Sequence, residues 1–165
     1  MLLFFPRHVV LYLLMFSIYL SGCAPVLDNF QKSFQDIFQT SEAVETKSSI
    51  SCEKMNEAQL VFRKSTLRPR KVKRGQEITV SIVYEVACAP DSGVLVKEKM
   101  TLWHQGKELT VLTNENASRQ NGTWESSITF RIPKSAQFGR YEVRQNMVSS
   151  KRIALSAASV FILSN

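Results

Sequence analysis

Two apolar rhythms divide this chain. Between Leu27 and Ser41, the residues Leu27, Phe30, Phe34, Ile37, Phe38 and Ser41 recur at steps of three or four with one adjacent pair, whereas from Ala58 onward apolar positions alternate. The clearest alternation spans residues 76–88, with Ile78, Val80, Ile82, Tyr84, Val86 and Cys88 on one side and Thr79, Ser81 and Glu85 on the other. A period of two places one set in a core and the other in water, as in an antiparallel strand. The same reading predicts strands over residues 59–64, 94–104, 108–112, 122–132, 140–147 and 153–163. Gln105-Gly106 and Asn121-Gly122 supply residues that tolerate positive φ at two of the bends. Seven short strands separated by such turns predict an all-β fold, two antiparallel sheets in a sandwich. The upstream period is instead helical, and its stripe faces away from Asp28, Lys32, Gln35 and Asp36. Phe30, Phe34, Ile37 and Phe38 suit a membrane headgroup layer, a partner surface, or the chain's own domain. Residues 40–51 are polar and read as a flexible linker.

Ahead of both segments, Arg7 and His8 precede an apolar run from Val9 to Leu20. A positive start and a run of this length predict a secretion signal, because a transmembrane helix needs about 20 apolar residues. Counting Met1 to Phe5 would lengthen the run toward an uncleaved anchor, but Pro6 and Arg7 interrupt it. The run ends in Leu20-Ser21-Gly22-Cys23, which resembles the lipobox of bacterial lipoproteins at every motif position. The resemblance implies lipid on the Cys23 thiol, cleavage before Cys23, and acylation of the new amino group. Burial of acyl chains gains about 0.8 kcal/mol per CH₂, so several chains anchor firmly. In Gram-negative members of that family, Asp after the Cys retains the protein in the inner membrane. Ala24 stands there, which implies the outer membrane, facing the periplasm, for a Gram-negative host. The expected organisation is a signal peptide over residues 1–22, anchor, helix and linker over 23–51, and a sandwich over 52–165.

Charge and cysteines refine this. The formal net charge is +7, and the leader removes only Arg7, so the mature chain stays basic. Positive excess favours anionic partners such as lipid headgroups or acidic glycans. Export leaves nucleic acid outside the expected partners. Beyond Cys23 the chain has two cysteines, Cys52 and Cys88, and an oxidising compartment should join them. If they face each other across an antiparallel ladder, Leu60 falls opposite Val80 and Phe62 opposite Ile78, with a hairpin turn centred on Arg70. One register then satisfies the bridge, the apolar parity and the loop, although a bulge would shift it.

Three stretches carry a second resemblance. Arg74-Gly75-Gln76-Glu77-Ile78-Thr79-Val80, the run from Gly122-Thr123-Trp124 to Ile132-Pro133, and Gly139-Arg140-Tyr141-Glu142-Val143 resemble bacterial immunoglobulin-like or fibronectin-type-III-like domains. The resemblance covers about residues 58–163 and implies that the Tyr141 hydroxyl bonds back to the upstream backbone. Val143 stands where an immunoglobulin domain has its second cysteine, so the antibody-type inter-sheet bridge is not expected. Such motifs specify fold and leave function open.

Candidate chemistry is sparse. No Gly-rich phosphate loop and no Gly-x-Ser-x-Gly elbow occurs. His104 is the one histidine beyond the leader, and beside Gln105-Gly106 it reads as an exposed turn residue. There is no Cys-x-x-Cys, so neither metal nor cofactor is expected. Glu77, Glu85, Glu98, Glu108 and Glu142 are scattered, as on solvated faces. The unusual stretch is Arg63 to Arg74, where Arg63, Lys64, Arg68, Arg70, Lys71, Lys73 and Arg74 occur without one acid. Arg68, Arg70, Lys71, Lys73 and Arg74 would crown the first hairpin and bind an anionic partner, unless they only keep a loop soluble. The reading is a lipid-anchored, non-catalytic binding or assembly module of the cell envelope with a protein partner. An inhibitor of a periplasmic hydrolase and a glycan- or lipid-binding protein are the alternatives.

Overall fold

The computed structural model describes the backbone of residues 38–44 and, in full, residues 52, 57–149 and 154–165. Nine strands are present among them: β1 (Phe38–Val44), β2 (Gln59–Arg68), β3 (Lys71–Val72), β4 (Glu77–Ala87), β5 (Val94–His104), β6 (Lys107–Arg119), β7 (Gly122–Arg131), β8 (Gly139–Ser149) and β9 (Ala154–Leu163). One sheet has the order β1-β7-β4-β2 and the other β3-β9-β8-β5-β6. Every pairing is antiparallel except the short β3–β9 ladder. The fold is all-β, and no helix occurs among the described residues.

The alternation read from the sequence is what builds the core. Ile78, Val80, Ile82 and Tyr84 of β4 are buried with Ile128 and Phe130 of β7, and opposite them lie Val96, Met100 and Leu102 of β5 with Val143, Met147 and Phe161. Each large apolar side chain so buried contributes about 1.5–3 kcal/mol. At one end an aromatic column runs from Phe161 through Tyr141 to His104, with centroid spacings of 5.1 and 4.3 Å. The Tyr141 hydroxyl donates to the Gln137 carbonyl at 2.7 Å, the upstream backbone bond expected for this position.

All seven expected strands are present as β2 and β4 to β9, and the disulfide joins Cys52 to Cys88 with Cα atoms 5.3 Å apart. The register expected around that bridge is not. Leu60 pairs with Val86 and Phe62 with Tyr84, and after a bulge at Arg63 Ser65 pairs with Ile82. The extra residue flips parity, so Ser65 and Leu67, rather than even-numbered residues, continue on the core side. Cys52 lies outside β2, and Cys88 follows the end of β4 with φ at 59°. The bridge therefore staples the approach to β2 onto the end of β4, instead of crossing a ladder.

The expected hairpin is also replaced. Pro69 lacks an N–H and cannot continue the β2 ladder. After it the chain crosses to the other sheet, where β3 pairs with Ile162 and Leu163 of β9. The return to β4 is made at Gly75, whose φ of 81° suits glycine and whose N–H donates to the Ile132 carbonyl at 2.8 Å. Finally, Phe38 is not helical. It opens β1, which pairs residue for residue with β7 from Phe38–Thr129 to Val44–Thr123. Edge hydrogen bonds offered by β7 outweigh the local helical period, and the first residues of the expected linker become strand.

Candidate functional site

The crossing between sheets decides where the basic residues stand. Arg68, Arg70, Lys71, Lys73 and Arg74 are all exposed, spread along the segment that leaves β2, forms β3 and turns into β4. None of Arg68, Arg70, Lys71 and Lys73 has an ion-pair partner among the described residues. Arg74 is tied down: its Nε donates to the Ala136 carbonyl at 2.8 Å and its guanidinium lies 4.0 Å from the Phe138 ring centroid. Arg63, at the bulge, is neutralised by the buried carboxylate of Glu85, to which its Nε donates at 2.9 Å. The acid-free basic stretch of the sequence thus resolves into two anchored arginines, Lys64 exposed on β2, and a strip of four cations with no ion-pair partner among the described residues.

Beside this strip lies a groove of about 550 Å³ between β2 and β9, with Phe62, Ser65 and Leu67 on one wall, residues 156–160 on the other, and Arg70 at its lip. Its floor is polar. Ser65 Oγ donates to Gln145 Oε1 at 2.6 Å and meets Ser159 Oγ at 2.8 Å, while Gln145 Nε2 donates to the Ser81 carbonyl at 3.3 Å. Gln145 is fully buried, so these bonds hold the two sheets in one relative position along the groove. The sequence reading missed the groove. Its signal was the run of small residues Ala154, Ser156, Ala157, Ala158 and Ser159 inside an expected strand.

A second cleft, of about 270 Å³, is lined by Trp103, His104, Arg140, Glu142 and Arg144 among others. His104 is buried here, contrary to its expected place on an exposed turn. Its Nδ1–H faces the Arg140 carbonyl at 3.0 Å and its ring stacks on Tyr141, because its parity along β5 is that of Met100 and Leu102. Arg144 stacks 3.8 Å from the Trp103 ring centroid and donates to Glu142 Oε1 at 2.6 Å.

Two of the five acids depart from the solvated faces expected of them, since Glu85 and Glu98 are buried while Glu77 and Glu108 are exposed. Glu98 of β5 accepts from Arg119 Nη2 at 2.6 Å, from Arg119 Nε at 3.0 Å and from the Tyr84 hydroxyl at 2.6 Å, all on one oxygen. Burial, followed by the charge and hydrogen bond of Glu98, holds the Tyr84 hydroxyl far above its ordinary range. Burial alone would lower the Arg119 guanidinium, but the bonds and charges of Glu98 and Tyr84 raise it overall. The cluster joins the two sheets and is closed over by the Trp124 ring, 4.5 Å from the Arg119 guanidinium. Its geometry is that of a structural inter-sheet contact.

Cys23, Phe30, Phe34 and Ile37 lie outside the described residues. No group of three His, Cys, Asp or Glu close enough to hold a metal ion occurs among the described residues.

No protein-family profile matches this chain, and no curated protein matches it as a relative. Solved structures share its strand arrangement only loosely. An alkylpurine DNA glycosylase of Pseudomonas fluorescens bound to abasic-site DNA is 16% identical over 66% of this chain and 31% of that one, with a TM-score of 0.45. A Niemann-Pick type C2 protein of the Japanese carpenter ant is 12% identical over 64% of this chain and 92% of that one, with a TM-score of 0.42. A family 123 glycoside hydrolase from Clostridium perfringens is 10% identical over 66% and 28% of the two chains, with a TM-score of 0.41. The chain thus spans about a third of the glycosylase it matches.

Proposed function

We propose that this protein is a lipid-anchored, non-catalytic binding module of the cell envelope, tethered through Cys23 and built on an immunoglobulin-like sandwich over residues 52–165. The observation that carries the binding role is the strip Arg68, Arg70, Lys71 and Lys73: exposed cations without an ion-pair partner among the described residues. Unpaired surface charge adds nothing to packing and suits attraction of an anionic partner. The division of one edge between β2 and β3, the parallel β3–β9 pair and the Tyr141 hydroxyl bond support the immunoglobulin-like assignment.

Two experiments test the two halves of this reading. A palmitate analogue should label the wild-type protein and not Cys23→Ser, and equal labelling of both would remove the anchor. For the strip, Arg68, Arg70, Lys71 and Lys73 reversed together to Glu should lower recovery of crosslinked envelope partners at least about tenfold, with melting little changed. Each cation near an anionic surface contributes about 1 kcal/mol, so four together exceed that factor. Wild-type capture should also weaken with salt, because exposed charges are screened beyond about 10 Å at 0.1 M. Unchanged recovery by the reversed variant would reduce the strip to a solubilising surface. The competing reading, in which the apolar residues upstream of β1 dock on the partner, makes the opposite forecast: Phe30, Phe34 and Ile37 to Ser would abolish capture with little salt dependence.

A further inference from the structure

The sheet that contains β9 is incompletely edged. Among the described residues, β3 covers only Ile162 and Leu163, leaving Ala154 to Phe161 of β9 paired on one side, with β8. Strand geometry says which backbone groups are left over. The Ile162 N–H donates to the Arg70 carbonyl at 2.8 Å and the Ser164 N–H to the Val72 carbonyl at 3.0 Å, both on the β3 side. Backbone groups of alternate residues point the same way, so the N–H and C=O of Val160, Ala158 and Ser156 face that side too, along the groove. No hydrogen bond to them from the described residues of β2 is present.

Exposed strand edges are normally guarded by charge, proline or bulges. The outer edge of β2 carries Lys64 and Arg68 and the bulge at Arg63, and β6 carries Lys107, Glu108 and Glu115 and meets β5 through two register shifts. Residues 154–163 contain no charged residue, no proline and no glycine. On their inward rank Ala157 and Ser159 stand between Leu155 and Phe161, so the groove stays open where larger side chains would fill it.

We infer that the groove receives an extended, acidic peptide segment of a partner protein, which adds as a strand to β9 in line with β3. The inference rests on the binding-module reading and names the partner's form. Main-chain bonds to Ser156, Ala158 and Val160 supply affinity, and the cations at the lip select acidic side chains near the Val160 end. Arg70 lines the groove itself, with Arg68 and Lys71 beside it in the chain.

The test selects a displayed random-peptide library on the full-length protein in detergent micelles, beside Ala158→Pro and Arg70→Glu. Ala158→Pro deletes a groove-side N–H on an edge where proline is tolerated, and amide exchange along the β8–β9 ladder reports whether the fold survives. Selected peptides should be rich in Asp and Glu, should slow exchange of the Ser156, Ala158 and Val160 amides, and should bind each variant about tenfold more weakly. No selected sequence, or equal binding to Ala158→Pro in a protected fold, overturns the strand addition. Loss with Ala158→Pro but not with Arg70→Glu overturns the acidic specificity. Self-association abolished by Ala158→Pro, with no peptide selected, assigns the edge to a second copy of the chain and overturns the proposal. Envelope capture that persists in Ala158→Pro sinks the groove while leaving the binding-module reading intact.

Discussion

Replacing Arg119 with Met is expected to lower the free energy of unfolding by about 3–5 kcal/mol, because it strands a buried carboxylate. Glu98 is 1% exposed, and Arg119 supplies its only cation among the described residues. Water cannot replace the lost partner without opening the seam between β4, β5 and β6. The Tyr84 hydroxyl would remain as one neutral donor, too little to solvate a full charge. Urea unfolding of the single variant, beside Glu98→Leu/Arg119→Met, separates the pair's net worth from the penalty of breaking it. The double variant should recover most of the loss, since an apolar pair of similar volume carries no desolvation cost. A single variant that loses under about 1 kcal/mol, the range of a surface pair, would show that Glu98 is solvated. The same cluster gives an alkaline signature. The folded-state pKa of Tyr84 is raised above the ordinary 10.0, so the folded protein holds that proton more tightly than the unfolded chain. The stability linked to it is complete below pH 10.0 and is lost as the pH climbs above that value. Tyr84→Phe should flatten that alkaline decline.

Cys88→Ala is expected to cost about 3–4 kcal/mol by the chain-entropy account, for a bridge separated by 36 residues. The topology adds a second, local effect. β1 and β2 lie at opposite edges of one sheet, so the chain must pass across three strand intervals between Val44 and Gln59. The bridge pins that passage at Cys52 to the end of β4, where Asn121 also clasps Ala89 through bonds of 2.7 and 3.0 Å. With the bridge, β1 is tethered eight residues from a fixed point beside its own docking edge on β7. Without it the tether lengthens, and the effective concentration of β1 at β7 falls. Hydrogen exchange should therefore quicken along the β1–β7 ladder in Cys88→Ala beyond the global loss. Two free thiols in protein taken from its own compartment would refute the bridge. Uniform acceleration of all strands would refute the tethering role.

Much of the architecture was legible in the alternation of the chain. Every expected strand from residue 59 onward is present, Gln105-Gly106 stands between β5 and β6, and Asn121 precedes β7, which Gly122 opens. Parity even marked the buried acid: Glu98 shares its rank along β5 with Val96 and Met100. Composition argued the other way, and assigning it to a solvated face followed the side chain's charge rather than its position. His104 was misplaced by its turn neighbours Gln105-Gly106, although its parity puts it at the end of that rank.

What the sequence determined by itself is therefore local: a period-two pattern gives strands with one apolar face, and the pair Cys52 and Cys88 gives one bridge. Which sheet each strand joins was decided by tertiary structure, because hydrogen bonds between strands carry no trace in the spacing of apolar residues. The bulge at Arg63 shifted the β2 register, and Pro69 released the chain to cross over, so the cations expected on a hairpin tip run beside a groove instead, with Arg70 lining it. Phe38 to Val44 shows the limit from the other side. Its helical rhythm is a weak local preference, and an unfilled edge on β7 offers a ladder of backbone bonds that outweighs it. The pairing of Arg119 with Glu98, 21 residues apart and on neighbouring strands, likewise exists only once β5 and β6 lie side by side.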